Sequence, residues 1–112
     1  MKTVAGCLRK INKLFIMAVM IRSFADKETE ALFRGGKSRR LPPELLRRAI
    51  LRLNQLDHVL ALDEMRIPAS NRLEALKGDR GGQWSVRIND QWRLCFRFED
   101  GDAFAVEIAD YH

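Results

Sequence analysis

Two cysteines and two histidines in 112 residues remove several classes of protein at once. Cys7 lies in a basic leader and Cys95 in an alternating apolar stretch, so a disulfide framework is not expected and reduced thiols in the cytoplasm fit better. His58 and His112 stand far apart, and no group of cysteines and histidines has zinc-ligand spacing, so neither a metal nor another cofactor is expected. Long apolar runs are also missing. The run from Phe15 to Ile21 is too short to span a bilayer. It follows a basic leader as the centre of a secretory signal does, yet Ile21-Arg22-Ser23-Phe24 offers no small-residue cleavage site after it. No membrane association is expected. Acidic residues are absent from 1–19, where Lys2, Arg9, Lys10 and Lys13 supply +4 of the net +5 and leave +1 for everything after them. Whole-chain basicity is therefore weak evidence for an anionic partner, and the local placement of arginines has to carry that argument.

What is present fits one domain, because an apolar fraction of 46% is ample for a single core in a chain this long. Residues 1–19 are expected to be an N-terminal extension, non-native or poorly structured, such as a translated segment ahead of a natural start at Met20. A short helix docking on the domain is the alternative. The domain itself is expected to run over 20–112. Its second half alternates apolar and other residues, the mark of strands with one covered face. Trp84, Val86 and Ile88 point one way and Ser85, Arg87 and Asn89 the other. Past Asp90-Gln91, the residues Trp92, Leu94, Phe96 and Phe98 oppose Arg93, Cys95 and Arg97. Past Asp100-Gly101, the residues Phe104, Val106 and Ile108 oppose Ala105, Glu107 and Ala109. The short polar breaks predict tight antiparallel connections.

The first half supplies the cover. Met20 to Ala25 reads as a strand, and Asp26 caps a short helix that Gly35-Gly36 ends. Lys37 to Arg40 is a basic loop, either a solvated turn or a phosphate contact. Pro42-Pro43 opens the longest helix, about Glu44 to Leu60, whose stripe is Leu45, Leu46, Ala49, Ile50, Leu53 and Leu56. Arg47, Arg48 and Arg52 lie off that stripe, on a solvated face or against RNA or a protein. His58 reads as a structural group near the helix end. Leu73 to Lys77 looks like a further strand, and Gly78 to Gly82 a turn. The order predicts an α+β fold, a small mainly antiparallel sheet with two helices packed on one face. On the other face Arg87, Arg93 and Arg97 would lie together, with Lys77 on the neighbouring strand and Tyr111-His112 at the end of the last one. Arginines on an open sheet can cradle phosphate, and a terminal Tyr-His pair adds a proton-transfer group and a stacking ring. Cross-strand ion pairing with Glu107 or Asp110 explains the same arginines without function.

Three stretches carry a resemblance over Met20 to His112: MIRSFADKETEALF, NRLEALKGDRGGQWSVRINDQWRLCF and the closing ADYH. They resemble the HigB-type toxins, or plasmid-maintenance killer proteins, of the RelE/ParE superfamily. The resemblance implies a RelE/ParE-like fold, entry into the ribosomal A site, cleavage of messenger RNA, and inhibition by an antitoxin with a helix-turn-helix domain. It implies that Lys77 and Arg93 hold the scissile phosphate, that Asp110, Tyr111 and His112 form the closing catalytic segment, and that Gln91 touches RNA. Arg72 and Arg87 are further positive candidates for RNA contact. Glu74 departs from the histidine that some of these toxins carry, and it joins the RNA-contacting set as a possible proton-transfer group. The implied reaction is metal-independent attack of a ribose 2′-hydroxyl on its own phosphate, with His112 as the acid/base candidate because an ordinary imidazole titrates near pH 6.5. Two other readings fit the residues less well: a ParE-like gyrase-inhibiting toxin, which needs no acid/base group, and a non-catalytic RNA-binding module.

Overall fold

The alternation from Trp84 onward folds as a meander. In the computed structural model, which describes residues 20–110, β1 (Glu74–Ala75), β2 (Trp84–Arg87), β3 (Trp92–Glu99) and β4 (Asp102–Asp110) form one sheet in that order, each pair antiparallel. Asp100 and Gly101 both have positive φ, the backbone a two-residue β3–β4 hairpin requires. Two helices cover one face. Helix α1 (Lys27–Gly35) starts at Asp26, whose carboxylate accepts from the Thr29 N–H at 2.6 Å, and stops at Gly36 in the left-handed region. Helix α2 (Pro43–His58) begins with proline in its first turn and ends two residues before the expected Leu60. It buries Leu45, Ala49, Leu53 and Leu56 against Val86, Ile88, Leu94, Phe96, Val106 and Ile108.

Three expectations need correction. The strand expected over Met20 to Ala25 is two isolated parallel bridges, Ile21 to Ala103 and Phe24 to Val106. The cause is a bulge in β4: Cys95 faces Glu107 but Arg97 faces Phe104, so Ala105 and Val106 together stand opposite Phe96. Ala105 adopts a φ of 53°, and its N–H bonds to Ser23 Oγ at 2.8 Å instead of continuing the ladder. The same bulge reverses the facing of the residues before it. Phe104 therefore lies on the Arg97 side, not in the core, and Ala103 takes the core position. The strand expected over Leu73 to Lys77 shrinks to Glu74–Ala75, because Leu73 and Leu76 are both buried and their spacing of three cannot be met by a period of two.

Between α2 and β1 the chain makes two 3-10 turns, Leu62–Arg66 and Ala69–Asn71. Buried Asn71 fastens them: its Nδ2 donates to Gln55 Oε1 (3.1 Å), the Met65 carbonyl (2.9 Å) and the Ile67 carbonyl (3.3 Å). That anchorage fixes the position of Arg72, the next residue. Cys7 and the extension 1–19, like Tyr111 and His112, lie outside the described residues.

Candidate functional site

Arg93 is at the centre of the face that the helices leave open. Strand register sets it beside Arg87 on β2 and Ala109 on β4. Its Nε donates to Ser85 Oγ at 2.7 Å, and its Nη2 donates to the Arg72 carbonyl at 2.7 Å. The same Nη2 is 3.2 Å from Glu74 Oε1, and the Arg93 side chain is only 11% exposed. Arg72 can point its carbonyl there because it adopts a left-handed φ of 48° just after the Asn71 anchor. The guanidinium is thus oriented from three directions before any ligand arrives. The sequence points to Glu107 as the acid that could occupy Arg93. Glu107 instead pairs with Arg80, at 3.0 Å, and Arg80 also donates to Gln83 Oε1 at 3.2 Å.

The face is less open than alternation suggests. Ser85 and Cys95 are wholly buried, and Leu76, Cys95 and Ala109 form a small apolar floor on that side. Burial pushes the Cys95 thiol up from its ordinary pKa, with Glu107 adding to the rise and Arg80 and Arg93 opposing it. Beside the floor, Glu74, Ala75, Leu76 and Lys77 line a hollow of about 530 Å³. Lys77 is exposed at its edge, so a cation and the Arg93–Glu74 pair stand along one short segment.

At the far end of the face, Gln91 Nε2 donates to Asp110 Oδ2 at 3.1 Å, which joins the β2–β3 turn to the end of β4. Arg87 pairs with Asp90 in the same turn. The structure therefore brings Arg72, Glu74 and Arg93 together, leaves Lys77 three residues further along the Glu74 segment, and places Arg87, Gln91 and Asp110 at the adjoining strand ends. Arg97 is exposed on this face opposite Phe104, two residues beyond Cys95. Tyr111 and His112 continue from β4 outside the described residues. Sequence reasoning missed Ser85, Arg80 and the Arg72 carbonyl. Ser85 had a readable signal, since it alternates onto the arginine side; the other two contacts depend on a loop conformation that no periodicity encodes. His58 Nδ1 lies 2.7 Å from the Asn54 carbonyl within α2, a structural placement. Among the described residues, no three His, Cys, Asp or Glu side chains are grouped as a metal site, and no helix is long and apolar enough to cross a membrane.

Residues 22–112 match the family described as HigB-like toxin, a RelE-like toxin of the type II toxin–antitoxin system HigB. The chain is 36% identical over 93 residues to Endoribonuclease HigB of Proteus vulgaris, covering 83% of this chain and all of that protein. It is 40% identical over 85 residues to Toxin HigB-1 of Vibrio cholerae, covering 75% of this chain and 90% of that one. Among solved structures, the YoeB-YefM complex from Staphylococcus aureus matches 82% of this chain and 97% of that one, with a TM-score of 0.47 and 17% identity.

Proposed function

The chain belongs to the HigB-like family of RelE-like toxins of type II toxin–antitoxin systems, and from that premise we propose that it is an endoribonuclease that cuts messenger RNA in the ribosomal A site and so stops translation in the cytoplasm. The observation that carries this reading is the preset Arg93 guanidinium, held by Ser85 and the Arg72 carbonyl on the open sheet face. Cleavage by a 2′-hydroxyl puts extra negative charge on a crowded phosphate. Donors already aimed at that charge cost no reorganisation when it develops.

In the proposed reaction the 2′-oxygen bonds to phosphorus, the bond to the 5′-oxygen breaks, and a 2′,3′-cyclic phosphate and a 5′-hydroxyl remain. The proton leaving the 2′-hydroxyl goes to a base, and the 5′-oxygen receives one from an acid. His112 supplies proton transfer, Tyr111 stacks on or orients a nucleotide, and Asp110, held by Gln91, orients that terminal segment. Arg93 and Lys77 take the phosphate. Arg72, Arg87 and Gln91 contact flanking RNA, and no metal takes part. Glu74 lies against Arg93, so an arriving phosphate displaces its carboxylate and leaves it beside the reacting ribose. A cognate helix-turn-helix antitoxin holds the toxin inactive between uses.

The test is primer extension on a reporter mRNA translated in a purified system. The expected result is a set of discrete cuts within codons, seen only during translation and absent with Arg93→Ala. Intact mRNA with translation unimpaired would defeat the proposal.

A further inference from the structure

Strand register offers Glu107 to Arg93. On the open face Arg93 stands opposite Ala109 and Cys95 opposite Glu107, so Glu107 is a diagonal cross-strand neighbour of Arg93. Such neighbours are roughly 7–8 Å apart, a span that the long side chains of arginine and glutamate can close. Arg97, the next cation on β3, is set further off, because the β4 bulge puts it opposite Phe104, three residues from Glu107. Burial raises the pKa of the Cys95 thiol first, and then the charges of Arg80, Glu107 and Arg93 act on it, so these three charges surround one buried side chain.

Arg80 intercepts this acid. The turn between β1 and β2 is closed by the Leu76 N–H on the Gln83 carbonyl at 2.9 Å and the Gln83 N–H on the Arg80 carbonyl at 3.1 Å. From that turn Arg80 Nη1 donates to Glu107 Oε1 on β4 at 3.0 Å and to Gln83 Oε1 at 3.2 Å, so a residue of the loop itself helps to aim it. The loop also packs closely on Arg97: a Cβ at Gly82 would lie 3.1 Å from Arg97 Nη1. The Arg80 and Glu107 side chains are 34% and 29% exposed, so water screens their pair less than a fully exposed one.

We propose that Arg80 is a positioning residue for RNA cleavage: by holding Glu107, it keeps a second carboxylate off the Arg93 guanidinium. The inference rests on the reading above, in which Arg93 takes the phosphate. One carboxylate, Glu74, already lies 3.2 Å from Arg93 Nη2, but its side chain is 60% exposed and water readily replaces it. Glu107 is about half as exposed and sits within β4, so it would give up the guanidinium less easily to an arriving phosphate, which needs the same donors. Removing Arg80 alone takes away the guanidinium that pairs with Glu107 and leaves Arg93 as its diagonal partner. Removing the Glu107 charge as well leaves nothing to transfer.

The experiment compares the unaltered full chain with Arg80→Met, Glu107→Gln and Arg80→Met/Glu107→Gln. Two quantities are read: single-turnover cleavage on programmed ribosomes, and the nitrogen–proton NMR signals of the Arg93 guanidinium in the free protein. Arg80→Met keeps the aliphatic stem; it is expected to cut about tenfold more slowly and to shift the Arg93 signals, the factor being that of one charged hydrogen bond. Glu107→Gln alone should cut within about twofold of the unaltered chain. Added to Arg80→Met, it should restore both the rate and the signals. A double variant that stays slow overturns the proposal, because Arg80 then serves the RNA or the fold directly. Equal losses in Glu107→Gln and Arg80→Met also overturn it, because the pair then matters only as a strap on the loop. If Arg80→Met fails a thermal-melt check, Arg80→Gln makes the same comparison. Arg93 signals that do not move in the Arg80 variant overturn the proposal whether or not the chain cuts RNA. Signals that move and return while the rate stays constant would establish the transfer and remove Arg93 from the phosphate instead.

Discussion

At the scale of single residues, Arg93 shows why charge alone does not define the site. A lysine there would keep the charge but could not bond Ser85 and the Arg72 carbonyl through separate nitrogens. Arg93→Lys is therefore expected to lose about 100-fold or more in single-turnover cleavage on programmed ribosomes, close to Arg93→Ala. Glu74 should behave in the opposite sense for binding. It competes for Arg93 in a pair whose carboxylate side is 60% exposed, so the pair is weak. Glu74→Gln should tighten binding of a 2′-deoxy, uncleavable mRNA by up to about fivefold while not raising the cleavage rate; weaker binding would show that Glu74 holds Arg93 in place. Cys95 gives a pH-dependent case. Its thiol pKa is raised by burial in the folded state, so the unfolded chain loses the proton first. The stability that Cys95 contributes is thus complete below about pH 8.5, the ordinary thiol pKa, and is lost as pH rises through the higher folded value. In a Cys7→Ser background, alkylation of the folded protein should stay negligible at neutral pH and become rapid in denaturant, and Cys95→Ala should flatten the fall in stability at high pH. Alternation placed Arg93 on the open face. It could not show what holds Arg93, because the Arg72 carbonyl is aimed by a backbone conformation and not by a side-chain type.

At the scale of elements, period-two patterning was legible wherever the ladder is regular. Trp92, Leu94 and Phe96 enter the core as read, and the Asp-Gly pair makes the expected hairpin turn. The reading failed at Phe104, where one inserted residue reverses the facing and no local composition marks it. Ala105 holds a positive φ, which a side chain tolerates poorly. Ala105→Gly is expected to stabilise the domain by up to about 1 kcal/mol, and Ala105→Val to destabilise it by more than that, because β-branching disfavours the left-handed region further. Urea unfolding of the two variants measures the difference. Equal midpoints would mean that the bulge relaxes elsewhere and that the register of β4 is not fixed at this residue.

At the scale of the whole molecule, the order of helices and strands followed from caps, stripes and turns, but the point at which the domain begins depends on contacts across the chain. Asp57, buried at the end of α2, accepts from the Met20 N–H at 2.7 Å and the Ile21 N–H at 3.1 Å through the same oxygen. The segment then runs beside β4, with Arg22 donating to the Ala103 carbonyl at 2.7 Å and Ala25 to the Val106 carbonyl at 2.9 Å, and Arg22 pairing with Asp102 at 3.2 Å. Met20 itself is 2% exposed, so these bonds join a buried residue to the last strand. A chain beginning at Met20 keeps every one of these groups, and its terminal ammonium would still donate to the Asp57 carboxylate. Such a chain should fold and melt within about 4 °C of the full chain, a difference below about 1 kcal/mol for a domain of this size. Asp57→Asn should lower the melting temperature of both forms by roughly 10 °C, since hydrogen bonds to a charged acceptor are worth about 1.5–3 kcal/mol. A truncated chain that fails to fold would place residues 1–19 inside the domain. An Asp57→Asn effect confined to the full chain would mean that the carboxylate serves those residues and not the start of the sheet.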